Sequence, residues 1–229
     1  FAWVRKWNIM IDKLEQYKSV LEEETYNHWM GVARFFRGFE YCRLVETFGD
    51  VPYYSKSITD ADTDEMYKDR TPRNEVMGYV YEDFDFALNN IRKNDGTQYL
   101  NRYIAAGFIS RLMLFEGTWQ KYHKSDTELA KKYLTQAKEA GELVLGNNQW
   151  QISSDFKSLF GSMDLSGNKE VLMYRHYDAG VSVTHCVASY SNGAESQGGA
   201  TLALAKSFIC NDGKVYQNSS LADADNLDI

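Results

Sequence analysis

The stretch RFFRGFEYCRLVETFGDVPYY, residues 34–54, decides which fold we expect for the chain. Apolar residues recur in it at helical spacing and continue a pattern that begins upstream, so we predict one long helix from about Thr25 to Phe48. Gly49 is placed to end that helix in a left-handed conformation, and Pro52 cannot continue it. The stretch is therefore predicted to be a packed helix followed by a sharp turn.

The same apolar spacing predicts four further helices, over residues 1–20, 71–92, 103–119 and 125–146. Thr71 is predicted to cap the second of these, with Pro72 at its first helical position. Ser125 and Glu128 have the spacing of a capping box for the last. Small residues at the predicted crossings are typical of tetratricopeptide-like packing, although the period is irregular. We predict a mainly α fold, with residues 1–146 forming a tetratricopeptide-like helical scaffold.

The sequence pattern changes after Gly146. Residues 170–177 are strand-like, and residues 181–187 alternate with a period of two. Thr201–Ile209 has the pattern of one more short helix. We therefore predict an irregular, loop-rich mixed region over residues 147–229. Because the chain starts abruptly inside a predicted helix and stops without a closing element, we expect N- and C-terminal parts of the full protein to lie outside it.

Composition and charge argue against several classes of function. The net charge is −7 and the pI is about 5.2, so the overall field repels nucleic acid and anionic lipid. No apolar run approaches the ~20 residues that cross a bilayer. The sequence contains no GxGxxG, P-loop, GxSxG or HExxH motif. The motif search therefore singles out no catalytic site, and we expect no cofactor.

Candidate metal ligands are present but do not have the required pattern. The four histidines show no metal spacing, and no cysteines form a CxxC pair. Three aspartates, Asp60, Asp62 and Asp64, imitate the start of a calcium loop. However, Glu65 stands where such a loop needs Gly, and Thr71 stands where it needs a bidentate Glu. We expect a solvated acidic loop and no metal site.

The cysteines and arginines have simple structural interpretations. Cys42 lies in the apolar helical pattern and is predicted to be a small core residue. A disulfide between Cys186 and Cys210 is left open. Arg34, Arg37 and Arg43 lie on the long helix, with Arg34 and Arg37 on one face, and we expect these arginines to pair with carboxylates such as those of Glu40 and Glu46.

Two parts of the opening stretch, Ala33–Gly38 and Leu44–Pro52, resemble the helix and turn motifs of the SusD/RagB family. Gly38 stands where the family more commonly has Ala, a small-for-small change that keeps close helix packing. Later segments resemble further landmarks of the family in the expected order, namely residues 70–76, 81–84, 103–112, 131–145, 155–160, 170–172 and 211–214. The resemblance covers most of the chain.

The resemblance implies an outer-membrane lipoprotein on the cell surface of a Bacteroidota-type bacterium. Such a protein lies as a lid over a SusC-like TonB-dependent transporter barrel and captures oligosaccharides for import. The resemblance also implies that the protein is not an enzyme. One alternative is the same role with oligopeptide cargo, and another is a tetratricopeptide-type adaptor that binds a partner protein. A glycosidase is a more distant alternative. The lipid anchor expected in the family lies outside this chain.

The resemblance also indicates where a ligand binds. In the family the ligand face is built from loops before the helical scaffold and from the irregular region after it, which corresponds here to residues 177–199. Within that window we predict ligand contacts from Tyr177, His185, Tyr190, Asn192 and Gln197, with Glu195 as a further hydrogen-bonding group. The window holds no Trp, which weakens a starch-specific interpretation. The turn after the long helix is expected to be scaffold and not a contact.

Overall fold

The computed structural model describes residues 1–95, 99–192 and 199–221. The described residues are mainly helical and contain no β-strand, only the isolated bridges Val51–Thr71, Asp178–Val183 and Ile209–Val215. The predicted mainly α fold is therefore confirmed. No helix among the described residues is long and apolar enough to cross a membrane.

Six α-helices cover most of the first 145 residues. They are α1 (Ala2–Tyr17), α2 (Glu23–Phe48), α3 (Thr63–Met66), α4 (Arg73–Asn90), α5 (Arg102–Trp119) and α6 (Thr127–Leu145). A π-helical turn, Gln120–Lys124, follows α5, and a 3-10 turn, Lys18–Val20, follows α1. Three short helices come later: α7 (Phe156–Gly161), α8 (Val187–Asn192) and α9 (Leu202–Lys206).

The hydrophobic core lies between the long helices. Helix α2 packs against α1 and α4, and α5 packs against α6. The largest side chains with almost no exposed surface are Tyr41, Tyr133, Phe35 and Phe84. Cys42 lies in the same core and is 3% exposed, as predicted. Burial of these apolar side chains is the dominant favourable contribution to folding.

The described residues fall into two compact units. The first is Phe1–Tyr174, and the second begins at Arg175. The first unit holds every long helix and both buried hydrophobic clusters. The predicted change from scaffold to ligand-facing region near residue 146 stays a prediction.

Helix α2 ends at Gly49, as predicted, but the start of α4 does not follow the prediction. Gly49 has φ 73° and ψ −115°, a conformation that differs from the predicted left-handed cap, and it donates its backbone N–H to the Val45 carbonyl at 2.9 Å. Thr71 does not cap α4, because its hydroxyl accepts the Tyr53 N–H at 3.2 Å. Asp50 instead accepts the N–H of Arg73, the first residue of α4, at 2.8 Å. The turn after α2 therefore satisfies a free N–H group of the next helix.

The predicted capping box of α6 is wrong by one residue. Ser125 adopts a left-handed conformation with φ 55°, and Asp126 is the N-cap residue, accepting the Leu129 N–H at 2.9 Å. The π-helical turn continues the preceding helix to Lys124, so Ser125 ends that helix and the side chain of the next residue performs the capping.

The predicted strands do not form. Residues 170–177 belong to no strand. Asp178 accepts the Gly180 N–H and pairs with Val183 across a tight turn, so the alternating pattern of residues 181–187 lies partly in this turn and ends where α8 begins. A strand needs a neighbouring strand to satisfy its backbone, and none lies among the described residues. The short helix predicted within Thr201–Ile209 is confirmed as α9.

Candidate functional site

A buried ion network joins α2 to α4. Arg37 donates from Nε and Nη2 to the two carboxylate oxygens of Asp83 at 2.8 and 2.7 Å, and Arg34 donates to the same carboxylate at 2.7 Å. Asp83 is 1% exposed. The predicted partners Glu40 and Glu46 are therefore wrong for these two arginines.

The physical reason for this correction is that a buried carboxylate on a neighbouring helix binds an arginine more strongly than a carboxylate on the same helix does. Residues on one helix bring together only weak, exposed pairs three or four positions apart, such as Arg43 with Glu40 at 3.5 Å. A bidentate bond to a desolvated carboxylate on a neighbouring helix is stronger.

The same network fixes the loop that follows Pro52. The remaining guanidinium nitrogen of Arg37, Nη1, donates to the Ser55 carbonyl at 2.9 Å and to Asn8 Oδ1 at 3.1 Å. Asn8 in turn donates to the Tyr54 and Lys56 carbonyls at 2.8 and 3.0 Å. These bonds tie the loop backbone to α1 and α2, so the side chains of the loop are held in a defined arrangement.

A cavity of about 460 Å³ lies between this loop, α2 and α4, and we call it the interhelical cavity. Its cationic lining residues are Arg34, Arg37, Lys56 and Lys68. Its anionic lining residues are Glu65, Glu75, Glu82 and Asp83. The formal charges of the lining therefore cancel.

Three tyrosines, Tyr53, Tyr54 and Tyr79, also line the interhelical cavity. The rings of Tyr53 and Tyr79 stack, with centroids 4.3 Å apart and planes at 18°. The ammonium group of Lys68 lies 4.5 Å from the Tyr54 ring centroid. Burial raises the pKa of Tyr53 to about 12, and the hydrogen bond to Glu75 raises the pKa of Tyr79. Both hydroxyl groups therefore stay protonated at neutral pH and can donate hydrogen bonds.

The structure brings together two of the five contacts predicted from the sequence. The rings of Tyr177 and His185 meet edge to face, with centroids 4.7 Å apart and planes at 88°. The guanidinium of Arg175 lies 5.4 Å from the Tyr177 ring centroid. Both rings are exposed. We call Tyr177 and His185 the loop ring pair.

The structure does not bring the other three predicted contacts together with the loop ring pair among the described residues. Tyr190 lies on α8 and is 42% exposed, and the described ring contacts include none between it and the loop ring pair. Asn192 is the last residue of α8. Gln197 and Glu195 lie outside the described residues. Whether these residues contact a ligand stays a prediction.

The cysteine question left open by the sequence also has a structural answer. Cys186 and Cys210 are free thiols and are not joined to each other. The described residues contain no group of three or more His, Cys, Asp or Glu side chains arranged to hold a metal ion.

The interhelical cavity is a feature that the sequence did not indicate. Its parts come from segments up to 49 positions apart, as the Arg34–Asp83 bond shows. The adjacent Tyr53 and Tyr54 after a proline are the local signal that could have drawn attention to it.

Comparison with known proteins identifies the family. Residues 1–114 match the SusD-like family described as starch-binding and associating with the outer membrane. The SusD-like protein P2 of Formosa agariphila is 27% identical over 165 residues, which are 70% of this chain and 30% of that protein.

Solved structures share the fold. A SusD superfamily protein from Bacteroides fragilis covers 93% of this chain with a TM-score of 0.63, at 19% identity and over 41% of its own length. A laminarin-binding SusD-like protein covers 74% of this chain with a TM-score of 0.57, at 15% identity and over 34% of its own length. This chain thus spans less than half of each of these relatives. The resemblance seen in the sequence is confirmed, and the chain belongs to the SusD-like family.

Proposed function

We propose that this chain belongs to a cell-surface protein that captures oligosaccharides at the outer membrane. The family described as starch-binding and a structural relative that binds laminarin support a glycan as ligand. The single observation on this chain that carries the proposal is the loop ring pair, Tyr177 with His185. Two exposed rings at right angles offer a flat face and a polar edge.

The loop ring pair suits a weakly held polymer. One face of a sugar ring is apolar and packs on an aromatic ring, while its hydroxyl groups hydrogen-bond to nearby polar side chains. Arg175 lies beside the ring of Tyr177 and can donate such bonds. Tyr190, Asn192 and Gln197 are proposed to extend the same contact surface. A shallow exposed site of this kind gives modest affinity, which suits a protein that must release its ligand.

The proposal includes the rest of the capture system. The protein delivers its cargo to a SusC-like TonB-dependent transporter, is held at the membrane by a lipid anchor outside this chain, and performs no catalysis. Support for these points comes from the family, whose description places its members at the outer membrane.

Affinity electrophoresis in gels containing laminarin, xyloglucan or starch tests the glycan proposal. We expect at least one polysaccharide to retard the chain and Tyr177→Ala to remove most of the retardation. Tyr122→Ala is the matched control, because Tyr122 is also exposed and also lies beside a cation, with Lys121 at 5.1 Å. Retention on no polysaccharide together with tight binding of oligopeptides would falsify the glycan proposal and favour peptide cargo.

Two further measurements test the remaining points. We expect the protein to copurify with a large β-barrel from native membranes, and its absence from such a complex would contradict the transporter role. Release of reducing ends from any bound glycan by the isolated protein would contradict a role without catalysis.

A further inference from the structure

We propose that the interhelical cavity is a second ligand-binding site, which takes a short neutral sugar. The residues that form it differ from those of the loop ring pair. The inference rests on the proposed function only for the expectation that sugars are the physiological ligands. The chemistry of the cavity gives the ligand class independently.

The cavity has the size and rigidity of a binding site. Its volume of about 460 Å³ falls within the range of roughly 300–1,000 Å³ that is usual for small-molecule sites. One wall is the loop whose backbone is held by Arg37 and Asn8. In addition, the Tyr41 hydroxyl accepts the Tyr54 N–H at 2.7 Å. A ligand therefore meets a preformed wall and does not have to order it.

The charges of the lining select a neutral and highly polar ligand. The formal charges of the lining cancel, Arg34 and Arg37 are already bonded to Asp83, and Lys68 is bonded to Glu65 at 3.0 Å. The lining therefore offers no net charge that would attract a charged ligand. An apolar ligand would desolvate these groups without replacing their hydrogen bonds. Sugar hydroxyl groups can donate to the carboxylates of Glu75 and Glu82 and accept from the ammonium group of Lys56.

Tyr79 gives the cavity a surface on which a sugar ring can pack. Its ring stacks on Tyr53, lines the cavity and is 36% exposed. The Tyr79 hydroxyl donates to Glu75 at 3.1 Å, which holds the ring in place. A fixed ring beside paired donors and acceptors is a combination suited to carbohydrate recognition.

The decisive experiment isolates the cavity from the loop ring pair. Titration calorimetry and saturation-transfer NMR are performed on the intact Tyr177→Ala chain with maltose, laminaribiose and glucuronate. We expect this variant still to bind a neutral disaccharide. The added change Tyr79→Ala should lower the affinity for that disaccharide by about fivefold or more, the loss that one aromatic contact gives. The added change Tyr79→Phe keeps the ring and should preserve binding. Tyr67→Ala is the control, since Tyr67 is an exposed tyrosine nearby that does not line the cavity.

A charge change tests the selectivity argument. Glu82 is exposed, and Glu82→Gln gives the lining one excess positive charge. We expect this variant to gain affinity for glucuronate by about threefold or more, as one unbalanced charge at short range predicts. An unchanged preference for neutral sugars over glucuronate would overturn the assigned ligand class.

The outcomes separate this inference from the proposed function. If Tyr177→Ala abolishes all sugar binding, the loop ring pair is supported and the cavity proposal is overturned. If Tyr177→Ala changes nothing and Tyr79→Ala removes binding, the cavity is supported and the loop ring pair is overturned as the glycan site. If no sugar binds the unaltered chain, both are overturned.

Discussion

At the scale of single residues, Asp83 holds α2 and α4 together. Its buried carboxylate receives three hydrogen bonds from Arg34 and Arg37. Replacing it by Asn leaves the buried guanidinium of Arg37 without a counter-charge. Breaking one partner of a buried ion pair typically costs about 3–5 kcal/mol. We expect Asp83→Asn to lower the free energy of unfolding by about 3 kcal/mol, measured by urea denaturation.

Asp85→Asn is the matched control for this change. Asp85 lies on the same helix two positions further on and is exposed. Because it joins no ion pair among the described residues, the variant should stay within about 0.5 kcal/mol of the unaltered chain. Equal losses from the two variants would show that the network contributes no special stability.

A second residue, His28, makes stability depend on pH. Burial lowers the pKa of His28 below its ordinary value of 6.5; Arg92 acts in the same direction, and Asp95 and Glu24 act against it. The neutral ring accepts the Arg92 backbone N–H at Nδ1, at 3.1 Å. His28 therefore binds fewer protons in the folded chain than in the unfolded chain as the pH falls below 6.5. The stabilisation is complete above that pH and is lost as the pH falls through the lowered pKa.

Urea denaturation over a series of pH values measures this effect. We expect the unfolding free energy of the unaltered chain to decline on acidification below pH 6.5, and His28→Gln to flatten that decline. A slope that is the same with and without His28 would assign the acid sensitivity to other groups.

The sequence predicted features of single residues that depend on near neighbours in the chain, but not partners that lie far along the chain. The turn at Gly49 and the burial of Cys42 follow from local pattern and were predicted. The partner of Arg37 lies 46 positions away, and no local rule identifies it. Of the predicted ligand contacts, Tyr177 and His185 were brought together, although nothing in the spacing of eight residues required it.

At the scale of elements, the crossing of α2 and α4 depends on Gly38. A Cβ added there would lie 2.7 Å from the ring of Phe84, which is fully buried. Ala gains about 1 kcal/mol over Gly in helix propensity, but overpacking a core costs about 1–3 kcal/mol. We expect Gly38→Ala to lower the unfolding free energy by about 1 kcal/mol, as measured by urea denaturation.

Gly78→Ala provides the opposite case for the same chemical change. Gly78 lies inside α4, and a Cβ there would meet nothing within 4 Å. Only the gain in helix propensity applies, so we expect the free energy of unfolding to increase by about 0.5–1 kcal/mol. If Gly38→Ala and Gly78→Ala both stabilised the chain, the Phe84 ring would have moved aside without cost. The close crossing of α2 and α4 would then not require Gly38.

The contrast between helices and strands shows which elements a sequence can specify. A helix satisfies its own backbone, so the apolar period alone predicted α2, α5 and α6 nearly to their ends. A strand depends on a partner that the period does not reveal, and residues 181–187 formed a turn and the start of a helix. The predicted cap of α4 failed for the same reason, because the carboxylate that caps this helix comes from Asp50, in another segment.

At the scale of the whole molecule, the two proposed sites belong to different compact units. The interhelical cavity is made of residues 34–83, and the loop ring pair lies after Arg175. Family motifs in residues 34–54 predicted the fold and the family, but those residues contribute the walls of a cavity that family knowledge did not predict. The family resemblance therefore predicted the fold, while the ligand contacts that it implied stay predictions.

A chain ending at Tyr174 tests this division. It keeps every residue of both buried hydrophobic clusters, the last of which is Val144. We expect its thermal midpoint, followed by circular dichroism, to stay within about 4 °C of the intact chain, the shift that roughly 1 kcal/mol gives at this size. It should keep the disaccharide binding that depends on Tyr79 and lose the polysaccharide retardation that depends on Tyr177. If the shortened chain unfolds without a cooperative transition, the first unit needs the second for its stability. If the shortened chain folds but loses the Tyr79-dependent binding, the cavity does not bind the disaccharide alone.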